Sequence, residues 1–373
     1  MKIFNESHMR YFCKLCGVNT LILTLFVTLL HAKSSLAQAP PTTLTPQVQQ
    51  PQMPTAPTAP ADGAIEELLV VGEQPGPGMW RVTKGENTLW ILGTYEPVPQ
   101  KMKWRAKNVR EIIAKSQEIL SPPSTRISAK QIGFFNTLTL IPAAMDSRKN
   151  PDGQTLKDIV PADVYQRWLV LRDKYIDENN TNDEDKDIER WRPIFAAREL
   201  YRKAISKSGL TTASPVWPVV RDNAKLNKVT IKELLYEPKV TNARGALKAF
   251  SKVSLADITC FTMTVERIET DLAAMRVRAN AWSTGDIDRL TIAPEINQRE
   301  ACRAAVLETT AAKLLGVKDI AAKLEALWID AAEKALAKNK VTLAVLPIDR
   351  LIGANNYLDK LKRKGYLVEA PDN

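Results

Sequence analysis

Glu96 and Asp349 each follow an apolar run that reads as a strand, "LWILGTYE" (89–96) and "VTLAVLPID" (341–349). In α/β proteins the carboxyl ends of strands are where working side chains gather. Gly93 and Thr94 loosen the backbone just before Glu96, which makes them candidate binding positions beside it. Two carboxylates facing one cleft could hold a hard divalent cation through oxygen ligands. They could also form an acid/base pair on a glycan, with the stereochemistry set by their separation. They could not rebuild an imidazole-containing zinc site. The histidines of the chain are His8 and His31, both upstream of the leader cut inferred below. The processed chain therefore has no imidazole for Ser-His, Cys-His or metal chemistry.

The elements that must position these residues can be read from periodicity. "MWRV" and "TLWILG" flank "TKGEN", a hairpin with turn chemistry at Lys84–Asn87. Residues 104–117 have the spacing of a helix, and "EILS" (118–121) follows as a short strand. Pro161 opens a helix that ends at the acidic run "DENNTNDEDKD". Residues 188–209 read as another helix, bent at Pro193 and stopped by Gly209, and "KVTIKEL" as a strand. One long helix is predicted from Leu255 to Trp282, then two Ala-rich helices over 298–315 and 318–338. The chain closes with a strand, a helix ended by Gly365 and a final strand "YLVEA". A helix-sized connection there argues for parallel pairing of the two strands. The class is α/β and helix-rich, with a central mixed or parallel sheet and a long helical insertion.

Upstream, Lys2, Arg10 and Lys14 precede an apolar run of about a dozen residues, Val18–Leu30, too short for a comfortable span. Ser35-Leu36-Ala37 supplies small residues at a cleavage spacing, so residues 1–37 read as a signal peptide cut after Ala37. Export to a periplasmic or secreted location follows as an expectation. Cys13 and Cys16 fall within the leader, so their C-x-x-C spacing carries no weight. Residues 38–62, rich in Pro, Gln, Thr and Ala, lack the apolar surface to offset ordering and read as a tether. A folded domain then spans 63–373. Cys260 and Cys302 remain, and in an oxidising compartment an even pair is most simply a disulfide.

The leader carries Lys2, Arg10, Lys14 and Lys33 against Glu6, a net +3, leaving +7 of the full chain's +10. Basic residues crowd "KMKWRAKNVR" (101–110) and "DKLKRKG" (359–365). Such runs read first as solvated helix faces; as a partner surface in an exported protein they would meet anionic lipid headgroups or cell-wall polymers rather than nucleic acid. Most tryptophans, among them Trp80, Trp90, Trp104, Trp191 and Trp282, fall at core positions of their elements. Trp217, in "SPVWPVV", is the exception and the candidate exposed aromatic for a sugar or peptide groove.

Four stretches in this order resemble the TraB/PrgY/GumN family: "MWRVTKGENTLWILGT", "PDGQTLKDIVPADVYQRW", "RANAWSTGDIDRL" and "LAVLPIDRLIGANNYLDKLKRKGYLVEAP". The resemblance implies a fold related to the esterase-like and haem-uptake fold. Its animal members include metal-dependent proteases, and its bacterial members are tied to peptide-pheromone control or to polysaccharide-synthesis genes. The family's first motif, G-T/S-x-H, reads here Gly93-Thr94-Tyr95-Glu96, with glutamate in the histidine position. Ser121 stands where the family has an acidic residue. Leu324 and Glu325 replace an Arg-Asn pair, and the final strand ends Leu346-Pro347-Ile348-Asp349 where the family has G-x-x-H. The scaffold persists while its chemistry is replaced. The leading expectation is therefore a degenerate enzyme with no cofactor, acting by binding a peptide or cell-envelope polymer. The alternatives are a hydrolase with an oxygen-only divalent-cation site at Glu96 and Asp349, or an assembly factor for envelope polysaccharide.

Overall fold

The computed structural model describes residues 73–127, 146–176, 187–252, 254–292, 298–353 and 356–371. The expected signal peptide and tether lie outside these residues. A six-stranded sheet organises the fold. Its strands are β1 (Met79–Lys84), β2 (Asn87–Thr94), β3 (Glu118–Leu120), β4 (Thr230–Lys232), β5 (Val341–Pro347) and β6 (Leu367–Glu369). They lie in the spatial order β6-β1-β2-β5-β3-β4. The β1–β2 hairpin forms as expected, with Gly85 at φ +58° in its turn, a conformation that only glycine adopts without strain. β5 pairs in parallel with β2 on one side and β3 on the other. Its residues Thr342–Leu346 are all buried, because a parallel strand with both faces covered needs a continuous apolar run.

The terminal strands do not pair with each other. β6 lies antiparallel to β1, with β1 and β2 between it and β5. It runs in the same direction as β5, as its helical connection requires, but β2 and β3 already hold both edges of β5. The last strand therefore adds outside the hairpin.

The helices used below are α1 (Lys107–Lys115), α2 (Ala162–Tyr175), α3 (Pro193–Lys207), α4 (Val216–Leu226), α5 (Leu255–Thr270), α6 (Leu272–Thr284), α7 (Gln298–Leu307), α8 (Ile320–Lys338) and α9 (Tyr357–Arg363); further helices lie between them, among them Ala243–Phe250. α3 begins at Pro193 rather than bending there, since proline fits the first helical position and lacks the N–H that would be unsatisfied anyway. Gly209 ends that helical segment at φ +71°. The expected 255–282 helix breaks at Asp271, which separates α5 from α6. The segment expected as one helix over 298–315 also divides. Thr309 accepts a hydrogen bond from the Ala312 N–H and starts a short new helix, Thr310–Leu314. α4 was not foreseen from the sequence. Its Pro218 falls in the first turn, where proline is tolerated.

Two principal cores result. One surrounds the sheet and includes Trp80, Ile91, Leu92, Trp282, Trp328 and Leu343–Leu346. The other lies among α2, α3, α5 and α7, around Trp168, Leu200 and Phe261. Cys260 on α5 and Cys302 on α7 form a disulfide in this second core, with sulfurs 1.94 Å apart and Cα atoms 4.5 Å apart. In the chain-entropy account, closing that loop stabilises the fold by about 4 kcal/mol.

Candidate functional site

The residues expected to do chemistry come together at one end of the sheet. Thr94 and Pro347 are partners in the β2–β5 register, so Glu96 and Asp349 each stand two residues beyond a paired position. Ser121 follows the end of β3, the other neighbour of β5. Glu96, Asp349 and Ser121, the positions singled out by the resemblance, thus lie at the carboxyl ends of three adjacent strands.

Packing has claimed much of this edge. Gly93 is buried beneath the turn after β5, where a Cβ would lie 2.6 Å from Ile348 Cδ1 and 3.3 Å from Leu351 Cδ1. Its carbonyl accepts a 2.8 Å hydrogen bond from Trp282 Nε1. The glycine permits close approach of side chains from the protein itself. Thr94 Oγ1 donates to the Leu346 carbonyl at 3.3 Å. Ser121 Oγ accepts from the Leu234 N–H at 3.0 Å and donates to the Pro122 carbonyl at 3.1 Å. These groups hold loops in place.

Glu96 is half-buried rather than solvent-exposed, and its peptide bond to Pro97 is cis. Its carbonyl accepts from Arg299 Nη2 at 3.1 Å. Asp349 is exposed on a turn of 3-10 helix, Ile348–Arg350. Among the described residues no group of three or more His, Cys, Asp or Glu side chains is placed to hold a metal ion. Two carboxylates, one exposed, do not fit the imidazole-containing centre that the family resemblance implies. Glu325 pairs with Lys360 on α9, and Leu324 packs against a small core around Ile127, Ala312 and Val317. The two positions that the resemblance matches to an Arg-Asn pair thus make an ion pair and an apolar contact.

Tyr95, between Thr94 and Glu96, was not singled out from the sequence. It is buried, and its hydroxyl accepts a 3.1 Å hydrogen bond from Arg278 Nε. Arg278 Nη2 donates to Asp271 Oδ2 at 2.6 Å, and Arg267 Nε lies 3.4 Å from the same oxygen. Burial works against the charged guanidinium of Arg278. Its hydrogen bonds to Asp271 and Tyr95 outweigh that cost and hold its pKa above the ordinary value. The break between α5 and α6 thus places a carboxylate between two arginines. The one sequence signal for it was the polar run "RVRAN" inside a helix otherwise read as core.

Trp217, the expected exposed aromatic, is half-buried on α4 and packs against the sheet core. Nearby, a groove of about 500 Å³ opens between residues 98–104 and 211–219. Its apolar lining includes Val98, Pro99, Met102 and Pro215, with Gln100 and Thr211 among its polar groups.

No curated protein and no solved structure matches the chain. Residues 78–370, from the first long strand through the last, match the TraB/PrgY/gumN family, and the chain belongs to it.

Proposed function

We propose that this TraB/PrgY/gumN member is an exported binding protein that has given up the family's metal chemistry and holds a peptide or a cell-envelope polymer. The packing over Gly93 carries this reading. Where a catalytic cleft would need space above the strand ends, Ile348 and Leu351 cover the glycine and Trp282 takes its carbonyl. The donor set agrees, with an exposed Asp349 and a half-buried Glu96 replacing two histidine positions. Export is supported by the leader pattern and by the Cys260–Cys302 bond, which belongs to an oxidising compartment.

The chain should be expressed with its leader and recovered from the exported fraction, together with Glu96→Ala. Both proteins are then dialysed against Mn²⁺, Mg²⁺, Ca²⁺ and Zn²⁺, assayed for bound metal, and incubated with a peptide library. The expected product begins at Gln38, retains no stoichiometric metal that Glu96→Ala releases, and cleaves no peptide in a metal-dependent way. Near-stoichiometric metal lost in the variant, together with peptide cleavage, would overturn the reading and restore a hydrolase with an oxygen-only site.

A further inference from the structure

α1 and α4 lie side by side over the sheet core. Val109 and Ile113 of α1, with Val216, Val220 and Ala224 of α4, are buried in that core, and the two helices pack against each other. Their exposed sides carry an uneven charge. Arg105, Lys107, Arg110 and Lys115 stand on or beside α1, and Arg221, Lys225 and Lys228 on or just beyond α4, all of them exposed. Glu111 and Asp222 are the carboxylates of these two stretches, 105–117 and 212–229. Lys107 lies 4.0 Å from Glu111. Arg110, Lys115, Arg221, Lys225 and Lys228 make no ion pair among the described residues. None of these cations lines the groove between residues 98–104 and 211–219. The last residue of α4, Leu226, is 78% exposed, with Lys225 before it and Lys228 two residues on.

We infer that the exposed face of α1 and α4 is a docking surface for an anionic lipid bilayer, with Leu226 entering the boundary between headgroups and acyl chains. The inference goes beyond the binding reading above and does not depend on it. Basic side chains gathered on one face add their attractions to acidic headgroups, and here most of them are not already spent on carboxylates of the protein. Two observations favour a bilayer over a soluble polyanion. The cations are spread over two neighbouring helices instead of lining a cleft that a chain could thread. A leucine left in water beside two lysines gains from burial in an acyl layer, while the lysine ammonium groups reach back to the headgroups. A soluble polyanion offers Leu226 no such gain.

The test uses the full exported protein and measures its co-flotation with vesicles of phosphatidylglycerol mixed with phosphatidylcholine. Pure phosphatidylcholine vesicles and a soluble polyuronate serve as comparison probes. The protein should bind the acidic vesicles, less so as salt is added, and should leave the neutral ones largely bare. Arg110→Glu/Lys225→Glu, one change on each helix, should lower binding to acidic vesicles about tenfold or more. Leu226→Gln should lower it about threefold or more and leave polyuronate binding unchanged. Lys313→Glu/Lys318→Glu makes the same change of charge at exposed lysines beside the small core around Ala312 and Val317; it should have little effect. Thermal melts confirm that each variant is folded. Every variant carries the same N-terminal segment, so differences between them report the helix face and not the leader. Equal binding to acidic and neutral vesicles would overturn the inference, and so would equal weakening by the two charge-reversed variants. Tight polyuronate binding with Leu226→Gln inert on vesicles would overturn it in favour of a soluble polymer. None of these outcomes bears on the metal and hydrolysis assay, so the membrane face and the non-catalytic reading can fail separately.

Discussion

The carboxyl end of the sheet and the helical insertion handle polar side chains in opposite ways. At the sheet end, where the sequence pointed to chemistry, Gly93 is covered by apolar side chains and Asp349 faces solvent. In the insertion, which carries no recognisable ligand motif, complete ion pairs are buried. Arg192 lies 2.6 Å from Asp257, both essentially inaccessible, and Asp271 sits between Arg267 and Arg278. A position singled out by a family motif marks a place at the strand ends. It does not indicate where the present chain spends its buried charge. Buried ions that hold helices against one another contribute to specificity of packing, and losing one partner costs far more than the pair contributes.

The largest effect should come from breaking that insertion. Asp257→Ala leaves Arg192 charged and buried, and urea denaturation should show a loss of about 3–5 kcal/mol. The double change Arg192→Met/Asp257→Leu removes both charges and should cost much less. If the single and double variants lose the same stability, the pair is not an isolated buried ion pair and the contrast with the sheet end weakens.

A smaller loss is expected at the sheet end itself. Gly93→Ala places a methyl group 2.6 Å from Ile348 Cδ1 and 3.1 Å from Trp80 Cζ3, an overpacking cost of about 1–3 kcal/mol. Ile348→Ala in the same chain should recover part of that loss in a double-mutant cycle. Strict additivity of the two changes would mean that Ile348 does not cover Gly93.

The smallest effect is a slope in alkaline pH. Burial raises the pKa of Tyr357 above its ordinary 10.0; Arg350 opposes the shift, while Glu325 and Asp349 add to it. The folded protein therefore keeps the phenol neutral to higher pH than the unfolded chain does. The stability this contributes is complete below 10.0 and is lost as pH rises through the folded value. Tyr357→Phe should flatten the alkaline limb of stability against pH. It should not remove that limb, because the pKa values of Tyr165 and Tyr366 are raised as well, with burial the first cause in each. An unchanged slope would show that the fold does not raise the pKa of Tyr357.

Local chemistry made much of the architecture legible before any fold was known. Two strand-like runs around Lys84-Gly85-Glu86-Asn87 read as a hairpin, and the mostly apolar run at 341–347 reads as a strand covered on both faces. The carboxylates at Glu96 and Asp349 were likewise a matter of residue identity, and so was the pairing expected of Cys260 and Cys302. Tertiary structure decided the rest, because it depends on partners distant in sequence. Asp271 breaks a helix whose periodicity continues through it, in a setting where arginines on both sides hold its carboxylate. β6 joins β1 because both edges of β5 are already taken. The basic runs look alike as composition, and only the tertiary arrangement pairs Lys360 with Glu325 and Lys364 with Glu333. The groove is built from segments more than a hundred residues apart. Periodicity reports which face of an element is apolar, but which charge meets which and where space remains are set by the packing of whole elements.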